Sequence, residues 1–414
     1  MLRAPRICCL DLDTFFVSVE RLFDPSLEGK AVIVGGRPGS RGVVTACSYE
    51  VRAFGVHSGM SLTEAARRAP HAVYLPVRGE VYGDYSRRVR AIVERYSPDV
   101  QSASIDEMFI DLSGCERLYR RPGDLGPDAT ILRTAREIQA TIQGELGLPS
   151  SIGVATSRSM AKVASGLAKP AGVMLVGAGS EARTLAPLPV RKLPGIGPVA
   201  ARKLAEAGVE TLGEVAAMSL EQLRQIFGAW AETVQRGARG EGSSDISRDQ
   251  PAFREHDDAG DTVRSISNER TFREDTSSSR TALAQLCSLC ERVCWRARRR
   301  GVKARTITLK LRYSDFETLS RSRTVPPTHS ELEIYPIVKD LYLDLRTGRR
   351  AIRLLGVALS NLVTAGAQLD LFERDRAVNE SIDAIRARYG FEAVRRDART
   401  LRGRAAGRPE DERS

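Results

Sequence analysis

At 414 residues the chain is too long for one comfortable core, and at roughly 100–200 residues per domain it predicts about two to four domains. Lys and Arg number 63 against 52 Asp and Glu, a formal +11, and 42% of residues are apolar. That balance excludes a mainly disordered chain and leans towards a polyanionic partner. No apolar run approaches the roughly 18 residues of a membrane span, so a spanning helix and a signal peptide are excluded and a cytoplasmic protein, expected as a monomer, is predicted. The four histidines are scattered, which argues against a His-based zinc site. Seven cysteines in such a chain are expected as reduced thiols.

The pattern opens with a short apolar strand over 6–10, a polar break at Asp11-Leu12-Asp13, and a helix over 15–22. Strand-like runs at 31–34 and 42–46 flank a Gly-rich loop that lacks the Lys-Ser/Thr ending of a phosphate-binding P-loop and reads as a hairpin. Helical spacing returns at 62–69 and 81–96, followed by a hairpin-like stretch over 100–112 with Ser104-Ile105-Asp106-Glu107 at its centre. A helix over 129–146, a strand over 151–155 and a helix over 159–167 complete an α+β block. Residues 185–240 are helix-rich and contain Leu193-Pro194-Gly195-Ile196-Gly197-Pro198, and an aperiodic linker follows. From 261 to 372 a helix over 279–300 precedes alternating strands, including 306–313 and 352–359. This block has 20 Arg and Lys against 12 Asp and Glu, a net +8 that is most of the chain's surplus. Cys287, Cys290 and Cys294 fall on one helix side among Leu283, Leu286 and Val293 and read as core. One more helix, 377–389, precedes an Arg-rich tail that is expected to be disordered.

Three acids interrupt apolar strand patterns, Asp11, Asp106 and Glu107, and taken alone they read first as solvated acids of a hairpin turn. Packing gives no reason to keep unpaired charge in a buried sheet. A divalent cation offsets that cost, and Mg²⁺ is held by one or two carboxylates together with substrate phosphates. Pro194-Gly195-Ile196-Gly197 reads as a helix-hairpin-helix, with Gly195 and Gly197 permitting a turn whose N–H groups meet a phosphate.

Taken in order, Asp11-Leu12-Asp13-Thr14-Phe15-Phe16, Tyr49-Glu50-Val51-Arg52, Ser104-Ile105-Asp106-Glu107 and Ala168-Lys169-Pro170 resemble the motifs of Y-family translesion DNA polymerases, the DNA polymerase IV (DinB) branch in particular. The resemblance extends from Ile7 to Phe372. It implies an α+β right-hand polymerase: a ferredoxin-like palm (1–11 and 79–175), small fingers (12–78), a helical helix-hairpin-helix thumb (176–243), a linker (244–260) and an α+β little finger (261–372). The activity implied is template-directed addition of dNTPs to a primer 3′-hydroxyl with two Mg²⁺ ions. Asp11, Asp106 and Glu107, with the Leu12 backbone carbonyl, correspond to the metal ligands. Tyr49, Arg52 and Lys169 correspond to the triphosphate contacts, and Phe16 to the steric gate under the sugar. Asp13 belongs to the motif without being assigned as a ligand, and a local backbone cap is an equal reading. Arg321 and Arg323 alternate on a strand from which they can reach the DNA backbone. Gln368-Leu369-Asp370-Leu371-Phe372 resembles the pentapeptide with which bacterial polymerases dock on the sliding clamp. An inactive adaptor paralogue and a palm-fold nucleotide cyclase are rivals. The intact acids argue against the first, and the helix-hairpin-helix and basic second block argue against the other.

Overall fold

The computed structural model describes residues 4–246, 264–364 and 376–395. The chain divides into two compact units, Met1–Asp257 and Asp258–Ser414. The expected clamp pentapeptide, most of the expected linker and the Arg-rich tail lie outside the described residues.

In chain order the first unit runs β1 (Ile7–Leu12), α1 (Phe15–Phe23), β2 (Val32–Val34), β3 (Ala46–Cys47), α2 (Tyr49–Arg52), α3 (Leu62–Arg68), β4 (Val73–Leu75), α4 (Gly79–Val93), β5 (Val100–Ser102), β6 (Glu107–Asp111), α5 (Cys115–Leu118), α6 (Pro127–Leu146), β7 (Ser150–Ala155), α7 (Arg158–Ala168) and β8 (Val173–Leu175). The palm sheet has the order β5-β6-β1-β7-β8, with β1 antiparallel to both neighbours. Both faces of β1 are covered, which explains its unbroken apolar run. Cys8, Leu10 and Leu12 pack with Ile131 and Ile138 of α6 and Val89 and Ile92 of α4. Ile7 and Cys9 face Ala161 and Ala164 of α7 on the other side. The strand does not stop at the polar break: Asp11 and Leu12 stay in the ladder, because Glu107 and Ser151 pair with Asp11.

A three-stranded sheet, β3-β2-β4, carries α2 and α3 around a small core of Ile33, Val51, Leu62 and Ala65. Phe15, Val17 and Val19 of α1 join the palm core instead, together with Val32 and Val34. Strand β2 enters the same core as α1, so this core spans the small sheet and the palm.

Helix α7 lies close on β7 because Gly153 has no side chain. A Cβ there would collide with the Ser165 nitrogen and the Ala161 carbonyl, both backbone atoms of α7. Gly153→Ala should therefore lift α7 off the sheet and cost about 1–3 kcal/mol, the usual penalty for overpacking. Thermal unfolding would show it, and an unchanged Tm would mean that the helix has slack.

The thumb follows: α8 (Glu181–Leu185), α9 (Pro198–Glu206), α10 (Leu212–Ala217), α11 (Leu220–Phe227) and α12 (Ala231–Ala238). Leu193, Ile196, Leu204 and Leu223 share the core on the α7 side of the palm.

The second unit contains β9 (Ser265–Thr276), α13 (Ser279–Arg299), β10 (Val302–Tyr313), β11 (Thr318–Thr328), α14 (Glu331–Leu345), β12 (Ile352–Thr364) and α15 (Arg376–Tyr389). Its antiparallel sheet has the order β11-β10-β12-β9. Ile307, Leu309 and Leu311 of β10 pack with α13 and α14, while Thr308, Lys310 and Arg312 alternate to the open face. Cys287, Cys290 and Cys294 are buried free thiols in this core, as their spacing predicts. Helix α15 is held on α13 by a buried pair, Arg386 donating to Glu291 at 2.8 Å. Among the described residues no helix is long and apolar enough to cross a membrane.

Candidate active site

The three acids predicted from the motifs gather where β1 and β6 meet. Asp11 lies opposite Glu107 in the antiparallel register, and directly opposed side chains share one sheet face. Asp106 occupies the bend 103–106 between β5 and β6, and its backbone carbonyl accepts from the Leu12 N–H at 2.9 Å. That bond ties the Leu12 backbone to the turn carrying Asp106. The Asp106 carboxylate accepts from the Ser104 hydroxyl.

Two ammonium groups, one on α7 and one just after it, reach these acids. Lys169 donates to Asp11, and Lys162 donates to Glu107. Burial pushes the Asp11 carboxyl above its ordinary value; Lys169 opposes this, while Asp106 and Glu107 add to it through their negative charge. This donor set fits a divalent cation. Acidic oxygens are concentrated where the interior strands β1 and β6 meet, and two ammonium groups offset their charge. Among the described residues, no group of three or more His, Cys, Asp or Glu side chains is placed to hold a metal ion by itself.

The expected triphosphate contacts are also brought close. The Tyr49 hydroxyl donates to Asp13 at 3.3 Å, and the Lys169 ammonium lies 3.4 Å from the same carboxylate oxygen. Arg52 sits over the Tyr49 ring with its guanidinium carbon 4.7 Å from the centroid. Burial raises the Tyr49 phenol above its ordinary pKa, with Asp13 adding to the effect, so it stays a donor.

Asp13 itself is the hub. It is 1% exposed. Its other carboxylate oxygen accepts from the Ser151 hydroxyl at 2.8 Å and from the Ala171 N–H at 2.7 Å. The second bond holds Ala171 at a φ of 49, a left-handed conformation that Ala rarely adopts. The local-cap reading of the Asp13 side chain is thus replaced: its partners lie on β7, α2 and the loop after α7, because the carboxylate points across the sheet edge rather than along its own helix.

Phe16 projects from α1 and stacks on Tyr82, with centroids 4.1 Å apart and planes 13° from parallel. The Tyr82 hydroxyl donates to Glu20, which also receives Arg78 at 2.8 Å. Burial and that hydrogen bond push the Tyr82 phenol up to about 12.

Sequence reasoning missed Lys162, Tyr82, Glu20 and Ser151 as members of the site. Their places at the site follow from the assembled sheet and helices and not from any local pattern.

In the thumb, Gly195 has φ +97, and Gly197 caps α9 with Pro198 at its first position. The segment before this turn is a single 3-10 turn, Val190–Lys192, rather than a full helix. Arg321 and Arg323 lie on β11 opposite Leu309 and Ile307, which are buried. They therefore point to the helix side of the sheet edge, where Arg323 meets Asp340 of α14 at 3.4 Å. The open face presents Ser320, Ser322 and Lys310 instead.

Paired acids on a palm-like sheet, ammonium groups aimed at them from one side, and a glycine turn at a helix N-terminus define a palm-fold nucleic-acid polymerase. Comparison with known proteins narrows the class. The impB/mucB/samB family matches residues 10–166, its C-terminal domain matches 263–371, and a DNA polymerase-iota thumb domain matches 191–240. DNA polymerase IV of Dehalococcoides mccartyi (strain CBDB1) is 36% identical over 394 residues, covering 94% of this chain and 96% of that protein. A Y-family DNA polymerase chimera of Dbh and Dpo4 superposes with a TM-score of 0.72 at 25% identity, covering 87% of this chain and 99% of the other. The crystal structure of DinB from Sulfolobus solfataricus gives 0.55 at 25% identity with the same coverage. The chain belongs to the DNA polymerase IV (DinB) branch of the Y-family DNA polymerases. It is a template-directed DNA polymerase of the translesion type, a family that depends on divalent metal.

Proposed function

We propose that Asp11, Asp106 and Glu107, with the Leu12 carbonyl, hold two Mg²⁺ ions, and that Tyr49, Arg52 and Lys169 hold the triphosphate of an incoming dNTP beside a primer 3′-hydroxyl. The observation that carries this reading is the in-register pair Asp11 and Glu107, each neutralised by its own lysine. When bound, the ions supply Lewis acidity to the attacking and leaving oxygens. The remaining work belongs to the chain. The 3′-oxygen bonds to the α-phosphorus as pyrophosphate leaves, and fixed cations are worth most where that charge develops. Lys169 can exchange its bond to Asp11 for a phosphate oxygen, and Arg52 is exposed and reaches outward over Tyr49. Primer extension with Mg²⁺, dNTPs and damaged and undamaged templates tests the assignment; a wild-type chain that extends neither template would refute it.

Asp13 supports the reading from behind. It sets Tyr49, the Lys169 loop and β7 in one geometry without itself being a metal ligand. Asp13→Asn keeps the shape but turns an amide nitrogen towards two donors whichever way it is placed, at a cost of about 1–3 kcal/mol. The KM for dNTP should rise about tenfold while primer–template affinity stays level. An unchanged KM would make Asp13 only a structural residue.

Primer–template is gripped without sequence preference by the Gly195–Gly197 turn and the basic second unit. Of the two β11 arginines, Arg321 is the exposed one and the better phosphate ligand, because Arg323 is engaged with Asp340. We assign the sliding-clamp contact to Gln368, Leu369, Leu371 and Phe372, with the last two as apolar anchors. Leu371→Ala with Phe372→Ala should leave extension on bare primer–template unchanged and remove the gain in product length given by loaded clamp. Persistent stimulation would move the docking site elsewhere. The chain is taken to act as a cytoplasmic monomer.

A further inference from the structure

Beside β9, the terminal strand of the second sheet, a cleft of about 730 Å³ opens against α13. Four guanidinium groups line it, from Arg270, Arg273, Arg280 and Arg395, and no acidic side chain does. Surface arginines usually serve solubility, but they are then interleaved with acids. Here they are not. Among the described residues Arg270, Arg273 and Arg280 make no ion pair. Arg395 shares Glu392 with Arg292. The surplus is felt nearby: burial holds the Arg292 guanidinium below its ordinary pKa, and Arg270, Arg395 and Arg386 add to the depression. One wall also contains a donor without a partner, the buried amide nitrogen of Gln285 on α13.

A concave site with this donor set suits a chain of phosphates. Guanidinium groups bind phosphate oxygens in a two-pronged geometry, which distinguishes them from point charges. The volume falls within the about 300–1,000 Å³ typical of ligand clefts. That is room for an extended strand and not for a duplex. A polymerase meets such a strand at every turnover, in the uncopied template ahead of the primer end.

We propose that the cleft between β9 and α13 binds the sugar-phosphate backbone of single-stranded template DNA, through Arg270, Arg273 and Arg280. This site is additional to the open face of the sheet, and the proposal rests on the polymerase reading above. The strand is held by charge, so binding is indifferent to sequence.

The test uses the full chain and the double variant Arg270→Gln with Arg280→Gln. Both residues are exposed, so the variant is expected to keep the wild-type Tm. A fluorescein-labelled single-stranded oligonucleotide of mixed sequence and a blunt duplex of equal length are titrated by anisotropy at several salt concentrations. The variant should lose about tenfold in single-strand affinity, and its salt slope should flatten by about 1.4, at roughly 0.7 for each phosphate that is no longer neutralised. Blunt-duplex affinity should not change. Equal single-strand affinity in both proteins would overturn the proposal. So would displacement of the oligonucleotide from the wild type by poly-glutamate of equal length, which would identify an acidic-peptide site. Primer extension by the same wild-type preparation separates the two readings. If extension fails, the polymerase assignment fails; if it proceeds while the variant keeps its single-strand affinity, only the cleft is refuted.

Discussion

Replacing Asp106 or Glu107 by Ala is expected to abolish nucleotide addition while primer–template binding survives. Glu107 opens the interior strand β6, and Asp106 lies just before it in a bend whose backbone bond to Leu12 does not use its side chain. Loss of the Asp106 carboxylate therefore removes charge without opening the core. Divalent-metal stabilisation in such a site is worth several kcal/mol, which at about 1.4 kcal/mol per tenfold is on the order of a thousandfold in rate. Glu107 is buried and paired with Lys162, whose half-exposed ammonium stays solvated when the carboxylate is removed. Glu107→Gln keeps the volume and should be equally inactive, which separates charge from packing. Single-turnover extension gives the rate, and anisotropy with labelled primer–template gives the affinity. Extension within tenfold of wild type by either Asp106→Ala or Glu107→Gln would remove that residue from the reaction.

The same sheet explains how far the sequence alone could lead. Acids that interrupt apolar strand patterns are visible in one dimension, because burial without a partner is costly wherever the strand ends up. Asp11, Asp106 and Glu107 stand out in that way, but only the surrounding motifs separate them from solvated turn acids. The role of Asp13 could not be found so, since its partners Tyr49, Ser151 and Ala171 are brought to it only by the assembled sheet. Arg321 and Arg323 are an intermediate case. Their alternation is legible, and so is its sense: Leu319 and Val325 share their parity and pack on the second core. That parity marks the helix side of β11. Helix α14 is hidden because Pro336 stands inside it and reads as a break.

Phe16→Ala is expected to admit ribonucleotides while deoxyribonucleotide addition continues. The prediction depends on what stands behind the ring. Phe16 is stacked on Tyr82, which is fully buried, bonded to Glu20 and packed against Phe15 at 6.5 Å. Glu20 is in turn held by Arg78. A ring backed this firmly cannot retreat to make room for a 2′-hydroxyl, the group that separates RNA from DNA precursors. Forcing an extra group against a well-packed surface costs about 1–3 kcal/mol, so discrimination should fall roughly 10- to 100-fold when the ring is removed. Tyr82→Phe keeps the stack and loses only the bond to Glu20, so its sugar discrimination should match wild type. Measuring kcat/KM for a ribonucleotide and its deoxy counterpart in both variants tests the pair. If Phe16→Ala leaves the ratio unchanged, the ring is merely part of the palm core and sugar choice is made by another group. If Tyr82→Phe relaxes the ratio as well, the hydrogen bond to Glu20 rather than the stack holds the gate.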